Sequence, residues 1–301
     1  MNRAQLLGVL DTLLDELTGQ PGDPALFWPD ARIVESNKPS ARGEGLWANA
    51  SRIGGYRIVA ADEARQTAGF MGLVWRGEVA SMVGLSIALR GDQIGSAEII
   101  VAPERFPGEA GVDARTLETV RPCFAQPLTA SDRLSRGHLE QTAQGYYAAV
   151  NQSNPDLAKL APDGVRIEAG TQITANPAFH FAFYTGLDGQ LLPNFGEWTA
   201  REQFRRGLWN ADGVLHERYP IVDMQTGVVF AFTTYCPWHK RFEVEVAGVG
   251  RVGPVVAGRR VALNMLEAFK IEHGAIAEME SVWEIEDAPF SPIMASVPGS
   301  F

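Results

Sequence analysis

The sequence predicts an α+β protein built from one structural unit used twice. Three pairs of blocks recur in the same order. PDARIVES at 29–36 is answered by PDGVRIEA at 162–169, and YRIVAADEARQTAGFMGLV from Tyr56 by YPIVDMQTGVVFAF from Tyr219. LSIALRGDQIGSAEIIV from Leu85 is answered by LEAFKIEHGAIAEMESV from Leu266. The spacing, roughly 130–180 residues, is too long for a solenoid, whose repeats run about 20–50. A chain of 301 residues suits two such units. The expected division is a first domain at 1–102, a linker at 103–134 and a second domain at 135–301.

Each element follows from local pattern. Leu6, Leu7, Leu10, Leu13, Leu14 and Leu17 form a stripe at helical spacing that stops near Gly19 and Pro21. ARIVES, GYRIVA, GFMGLVW, ASMVGLSIAL and SAEIIVA read as strands joined by Gly-rich or charged turns, the pattern of antiparallel hairpins. The stretch 103–135 is rich in Pro and charge and is expected to carry a short helix around Asp113 to Val120. A second helix begins near Ser135, with Leu139, Ala143, Tyr146, Tyr147 and Val150 on its buried face. The second unit repeats the strands with RIEAG, LHERYPIVD, GVVFAFTTY, VALNMLEAFKI and AIAEMESVWEI, and adds a helix near REQFRRGLW. It also holds two insertions that the first unit lacks, the aromatic segment 175–198 and a segment running from Cys236 to Arg260.

Composition narrows the function. The net charge of −10, from 36 acidic and 26 basic residues, argues against nucleic acid, which requires a clustered basic surface. The basic stretch Arg201 to Arg206 contains Glu202 and reads as a solvated helix face. Two cysteines, one per half, fit a reducing, cytoplasmic setting. Acidic residues interrupt the N-terminal helix, so it is not read as a secretion signal. No apolar run reaches the ~18 residues of a membrane span.

The residues GEGLW at Gly43, YRIVAAD at Tyr56, RYPIVDMQTGVVFAF at Arg218 and EAFKIEHGAIAEMESVW at Glu267 resemble a tandem member of the nuclear-transport-factor-2-like superfamily. The resemblance covers most of both halves apart from the linker and the insertions, and its motifs specify fold better than chemistry. It implies two tandem cones, each a helix packed on a strongly curved antiparallel sheet. It also implies an apolar interior in which inward polar side chains move protons without a cofactor. The superfamily holds isomerases, dehydratases, cyclases, lyases of lignin-derived diarylpropanes and non-catalytic modules, and fold alone does not choose among them.

Strand parity picks out the residues able to do chemistry. Glu267 is a carboxylate in the otherwise apolar row Leu263, Met265, Phe269 and Ile271. Burial there would raise its pKa and suit it to acid–base work; the competing structural role is an ion pair with Arg218. His216 and Arg218 share a parity, and Asp223 follows them. The insertions, the second taken here from Tyr235, add His180, Tyr184, Tyr235 and His239. Phe179, Phe183 and Trp198 belong to a segment too aromatic to stand free in water. It is expected either to cover an apolar pocket or to pack at a dimer interface. Lys38, Trp47 and Tyr56 are the substrate-binding candidates of the first half. Glu35 aligns with Glu168 and reads as scaffold. No metal-ligand spacing, nucleotide-binding Gly motif or GxSxG is present. The expectation is a cofactor-independent lyase, without a bound metal, acting on a small hydrophobic, hydroxylated aromatic compound. An isomerase, a cyclase and a non-catalytic binding module are the alternatives. The partners expected are the substrate and a second copy of the chain, a homodimer formed through outer sheet faces.

Overall fold

The computed structural model describes residues 1–19, 22–102, 113–255 and 261–287. The first half comprises helix α1 (Arg3–Leu17), strands β1 (Phe27–Glu35) and β2 (Lys38–Ser40), the short helix α2 (Leu46–Asn49), and strands β3 (Arg52–Asp62), β4 (Thr67–Arg76), β5 (Val79–Arg90) and β6 (Gln93–Val101). A connecting segment carries a 3-10 turn (Ala114–Thr116) and α3 (Pro122–Ala125). The second half opens with α4 (Arg136–Gln152) and continues through β7 (Leu160–Glu168), β8 (Thr171–Gln172), β9 (Tyr184–Gly186), α5 (Ala200–Arg205), β10 (Gly213–Asp223) and β11 (Val228–Cys236). It ends with β12 (Val244–Val246), β13 (Gly250–Pro254), β14 (Val261–Glu272) and β15 (Ala275–Asp287). The architecture is mixed α+β with few helices. No helix among the described residues is long and apolar enough to cross a membrane.

Two six-stranded sheets dominate, and their strand orders correspond. The first runs β2-β1-β6-β5-β4-β3, and the second, read from its far edge, runs β8-β7-β15-β14-β11-β10. In each, one pair is parallel, β1 with β6 and β7 with β15. Register shifts fall at matching places, on β3 between Ile53 and Arg57, and on β10 between Leu215 and Arg218 and again between Arg218 and Ile221. Such bulges bend a strand and strengthen its twist.

α1 forms because Asn2 and Gln5 make a reciprocal capping box and because Leu6, Leu10, Leu13, Leu14 and Leu17 share one buried face. That face packs on Phe70, Leu85 and Ile99 of the first sheet. α4 starts one residue after Ser135, whose hydroxyl accepts from the His138 N–H, and buries Tyr146 and Tyr147 against Phe269 of the second sheet. The connecting segment differs from expectation. In place of a helix over Asp113 to Val120 it makes a single 3-10 turn, capped by Asp113. The expected linker includes 103–112, which lie outside the described residues.

The opposite faces of the two sheets pack on each other. Ile58, Ala60, Met71, Leu73 and Met82 meet Ile221, Phe230, Phe232, Leu266 and Ala268 in one shared core. β4 and β11 are therefore buried on both faces, which explains apolar runs such as GFMGLVW and VVFAFTTY without a polar alternate. Close approach depends on two glycines. A Cβ at Gly69 would stand 2.5 Å from Ile221 Cδ1, and one at Gly84 would stand 2.7 Å from Leu266 Cδ2. A homodimer could not use these faces, because the chain already joins them internally.

Two buried aspartates clasp this interface reciprocally. Asp62 Oδ1 accepts from the N–H groups of Ala64 and Arg65, closing its own turn. Its Oδ2 accepts from Val222 N–H at 3.1 Å and Arg136 Nε at 3.1 Å. Asp223 Oδ1 accepts from Gln225 and Thr226 in the same manner. Its Oδ2 accepts from Ala61 N–H at 3.2 Å and Arg3 Nε at 2.7 Å. Each aspartate thus takes the N–H of the residue preceding the other, and the first helical residue of the other half's leading helix. A twofold relation between the halves produces this pattern. Replacing Asp62 or Asp223 by Ala strands a buried N–H and removes an arginine's partner, although Arg136 keeps Glu140, with an expected loss of about 1–3 kcal/mol each. Urea unfolding of both variants measures this, and a loss below ~0.5 kcal/mol in either, the level of an ordinary surface change, would refute the clasp.

Candidate functional site

Corresponding register positions in the two sheets expose a chemical difference. In the first sheet one cross-strand row on the face toward α1 reads Phe70, Leu85, Ile99 and Glu35. The same row in the second sheet, on the face toward α4, reads Ala231, Glu267, Ser281 and Glu168. Three bulky apolar residues are replaced by Ala, Glu and Ser. Glu35 and Glu168 occupy equivalent positions, yet Glu35 accepts from the Leu46 N–H at 2.8 Å and starts α2. By register Leu85 stands at Glu267, so the repeat written from Leu85 and Leu266 is one residue out of step. A one-residue slip moves side chains to the opposite face, which hid this substitution.

Glu267 is 2 % exposed, and among the described residues its Oε2 has no hydrogen-bond partner. Burial lifts its pKa from 4.5 to about 7, against smaller downward pulls from the Tyr147 hydroxyl and Arg166. The Tyr147 hydroxyl, itself fully buried, faces this carboxyl group, and burial and Glu267 together push its own pKa well up. Ser281 lies between Glu267 and Glu168, and its hydroxyl is also unpartnered among the described residues. With strands about 4.8 Å apart, the two carboxylate-bearing backbones stand about 10 Å apart across β15.

Arg166 closes one side of the row. Its Nη2 lies 3.1 Å from Glu168 Oε1 and its Nη1 donates to Gln203 Oε1 at 3.3 Å. Its guanidinium stacks 4.4 Å from the Trp209 ring. Gln203, fixed by the Thr199–Glu202 capping box of α5, donates its Nε2 to the Phe195 carbonyl at 3.0 Å. The arginine is thereby tied to the aromatic insertion. A second acid sits nearby. Asp212 accepts from Tyr235 Oη at 2.6 Å and Trp238 N–H at 2.9 Å. Burial raises its pKa to about 6.

The two insertions cover this interior as one body. β9, from the first insertion, pairs with β13 from the second, and β13 pairs with β12. Phe179, Phe181 and Phe195 are buried beneath them. Phe181 meets Trp209 edge to face at 6.0 Å, and Tyr184 meets Trp238 at 5.5 Å. Burial pushes the Tyr184 hydroxyl well up, reinforced by Asp212. Two clefts of about 320 and 410 Å³ lie elsewhere, one lined by Lys159, Arg201 and Arg205, the other by Met1, Gln5 and Asp23.

Of the residues singled out from sequence, Glu267, Tyr184 and Tyr235 come together here, with Phe179 buried in the cover. His180 is exposed in the cover. His216 is exposed on the β10 bulge, its Nδ1 3.1 Å from Thr234 Oγ1. His239 is exposed and packs against Gly213. Arg218 reaches neither Glu267 nor this interior, because it pairs bidentately with Glu98 of the first half, both contacts at 2.8 Å. Tyr56 donates to Glu280 across the shared core, and there burial raises the Glu280 pKa to about 7. Lys38 is exposed on β2, and Trp47 lies against Phe27 in the first half. Phe183 is exposed, and Trp198 is half-buried under Arg206. Sequence reading missed Arg166, Asp212, Gln203 and Tyr147, and assigned Glu168 to scaffold. Parity on VRIEA carried a signal, since Arg166 and Glu168 share a face. Asp212 lies outside any strand and gave none. Among the described residues no three His, Cys, Asp or Glu side chains are grouped to hold a metal ion.

A family model described as Domain of unknown function (DUF8021) matches residues 132–283, which span α4 to β15 and hence this whole interior. The search of curated proteins gave no match. Among solved structures, a de novo designed protein with a curved β-sheet aligns at 21% identity and a TM-score of 0.29, covering 35% of this chain and 90% of that one. An LEH-like epoxide hydrolase from M. tuberculosis aligns at 12% identity and a TM-score of 0.27, covering 49% of this chain and 84% of that one.

The raised pKa of Glu267 sets a stability signature. The folded chain holds this proton more tightly than the unfolded one, so the contribution is full below about pH 4.5 and is lost as pH rises through about 7. Glu267→Gln is expected to exceed the parent in stability at pH 8, by up to about 3 kcal/mol, and to match it near pH 4. Urea unfolding at the two pH values checks this. An equal gap at both would show that Glu267 does not titrate as described.

Proposed function

For a chain that belongs to the DUF8021 family, we propose cofactor-independent acid–base catalysis in the interior of the second half. The substrate is a small hydrophobic, hydroxylated aromatic compound, and the reaction is a lyase step. The observation that carries this is the row Ala231, Glu267, Ser281 and Glu168, set where the first half keeps Phe70, Leu85, Ile99 and Glu35. In this reading each six-stranded sheet, closed by its leading helix, is a cone of the nuclear-transport-factor-2 type. The first cone is filled and serves as scaffold, and the second holds the chemistry. Both cysteines are free, which suits the cytoplasmic setting included in the proposal.

The chemistry follows from the acids. A carboxyl group with a pKa near 7 is divided between its two forms at neutral pH, the condition under which proton transfer is most effective. Ionised Glu267 takes a proton from the substrate, either from carbon beside the leaving hydroxyl or from an alcohol oxygen. In the first case the C–O bond breaks, a double bond forms and water leaves. In the second the C–C bond breaks and a one-carbon aldehyde leaves. Arg166, with Trp209 at its face, opposes the negative charge that develops. Tyr235, bonded to Asp212, is placed to return a proton. The aromatic cover must lift to admit substrate. Its rings then exclude water, which strengthens every electrostatic contact inside.

A second reading, a non-catalytic binding module, is favoured by one observation: the cover's aromatic rings fill the space above Arg166 and Trp209, and the two clefts described lie elsewhere. Turnover separates the readings. With a panel of hydroxylated one- and two-ring aromatics, Glu267→Gln is expected to lower kcat by roughly 10²–10⁴-fold. Substituting the exposed His180, His216 or His239 by Ala is expected to leave it within about twofold. Turnover undiminished in a folded Glu267→Gln variant excludes Glu267 as the base, and absence of turnover across the panel favours the binding module.

The pH profile gives an independent check. A base that must be ionised predicts kcat/KM rising with pH and levelling above about 7, the value to which burial brings Glu267. A profile already flat from pH 5 upward would require a different base.

A further inference from the structure

The polar atoms left unmatched in the second half describe the substrate's own functional groups. We infer that the site takes a compound bearing both a hydroxyl and a carbonyl-type oxygen, the hydroxyl facing Glu267 and the carbonyl facing Arg166 and Trp209. This rests on the reading of the interior as an active site and specifies what enters it.

Five side chains carry the argument, and none is more than 7 % exposed: Arg166, Trp209, Thr233, Glu267 and Ser281. Each has a buried polar atom without a hydrogen-bond partner among the described residues. Buried polar atoms in folded proteins are nearly always paired, so a group of orphans calls for an explanation. They are also of different kinds. Arg166 Nε and Trp209 Nε1 can only donate. The two residues are stacked 4.4 Å apart, so two obligate donors stand at one end and ask for an acceptor. The Tyr147 hydroxyl faces the Glu267 carboxyl group, yet Glu267 Oε2 keeps no partner of its own among the described residues and, when ionised, asks for a donor. Ser281 and Thr233 stand on the strands flanking Glu267. Ser281 is its register partner on β15, and Thr233 lies one inward position along β11 from Ala231, its register partner there. Their hydroxyls donate or accept and impose no direction.

Donors at one end and an acceptor at the other make a polarised site. A hydrocarbon would leave both ends unmatched. A simple ketone would satisfy Arg166 and Trp209 and leave Glu267 unmatched. A simple alcohol placed at Glu267 would leave the two donors unmatched. A hydroxyketone, or a hydroxy acid, matches both. Phe181, 6.0 Å from Trp209, supplies the apolar contact for an attached aryl ring. The first half also has orphaned donors, Trp47 Nε1 and Arg76 Nε, but Leu85 and Ile99 stand in place of Glu267 and Ser281, so the facing acceptor is missing from that row.

Three probes differing by one group each test this on the full wild-type chain: 2-hydroxyacetophenone, acetophenone and 2-phenylethanol, titrated by calorimetry at pH 8. The hydroxyketone is expected to bind at least about tenfold more tightly than either partner compound, the scale of one buried hydrogen bond left unmade. Two variants assign the ends. Glu267→Leu, which installs the residue already present at this register position in the first half, should abolish the preference over acetophenone and keep the preference over 2-phenylethanol. Trp209→Phe should shrink the preference over 2-phenylethanol and leave the other intact. Equal affinity for all three probes overturns this inference, while the active-site reading stands or falls separately on the Glu267→Gln turnover assay. A hydroxyl preference that survives in Glu267→Leu also overturns it. If no probe binds at millimolar concentration, the inference fails and the orphaned atoms are matched by water.

Discussion

The packing of the two sheets against each other, face on face, is the constraint on which the rest of the molecule depends. It forces apolar residues onto both sides of β4, β5, β11 and β14. It requires Gly69 and Gly84, where any Cβ would meet a side chain of the other half. It also determines where charge can go at the interface. Glu98 and Glu280 stand at matching positions, opposite Val34 and Ile167 in register. One is answered by Arg218 and the other by Tyr56. A guanidinium neutralises its partner and a phenol does not, so two equivalent carboxylates sit in unlike electrostatic settings.

Within that frame the halves have diverged inward. Behind α1 the first sheet presents Leu, Ile and Phe, the composition of a conventional core. Behind α4 the second presents Arg166, Glu168, Glu267 and Ser281 on the strands and Tyr146 and Tyr147 on the helix. Such a set is costly to bury, since each ion or hydroxyl loses water and only some find partners. Arg166 offsets part of this by bonding Glu168 and Gln203 and by stacking on Trp209. Glu267 is faced by the Tyr147 hydroxyl but has no ion pair of its own, and burial raises its pKa. Buried groups with shifted pKa values cluster at functional sites, and structural ion pairs produce them as well.

Much of this was legible in the sequence, for reasons particular to each element. The duplication was visible because strand and turn residues recur in order. α1 and α4 were visible because their leucines and tyrosines fall at helical spacing next to Asn2 and Ser135. Glu267 stood out because parity placed a carboxylate among apolar neighbours. Arg218 shows the limit of the same argument: the bulge on β10 reverses its face, and parity counted through a bulge points the wrong way. The histidines attracted attention by chemistry alone, and all three of those chosen are at the surface. Asp212, in a loop between α5 and β10, became part of the site through contacts with Tyr235 and Trp238 that join distant parts of the chain. No local pattern encodes such contacts.

The internal twofold relation has a consequence for how such a site can arise. When two identical chains pair through their sheets, every substitution appears in both, so a row of buried acids would weaken both cores together. Joining the copies in one polypeptide removes that symmetry. One copy can keep Phe70, Leu85 and Ile99 and fold firmly. Through the shared face and the reciprocal aspartates, its stability then supports a neighbour whose interior carries buried ionisable groups that a core does not need. Tandem fusion of this kind frees one copy to carry polar groups inside while the other keeps the apolar interior on which stability depends.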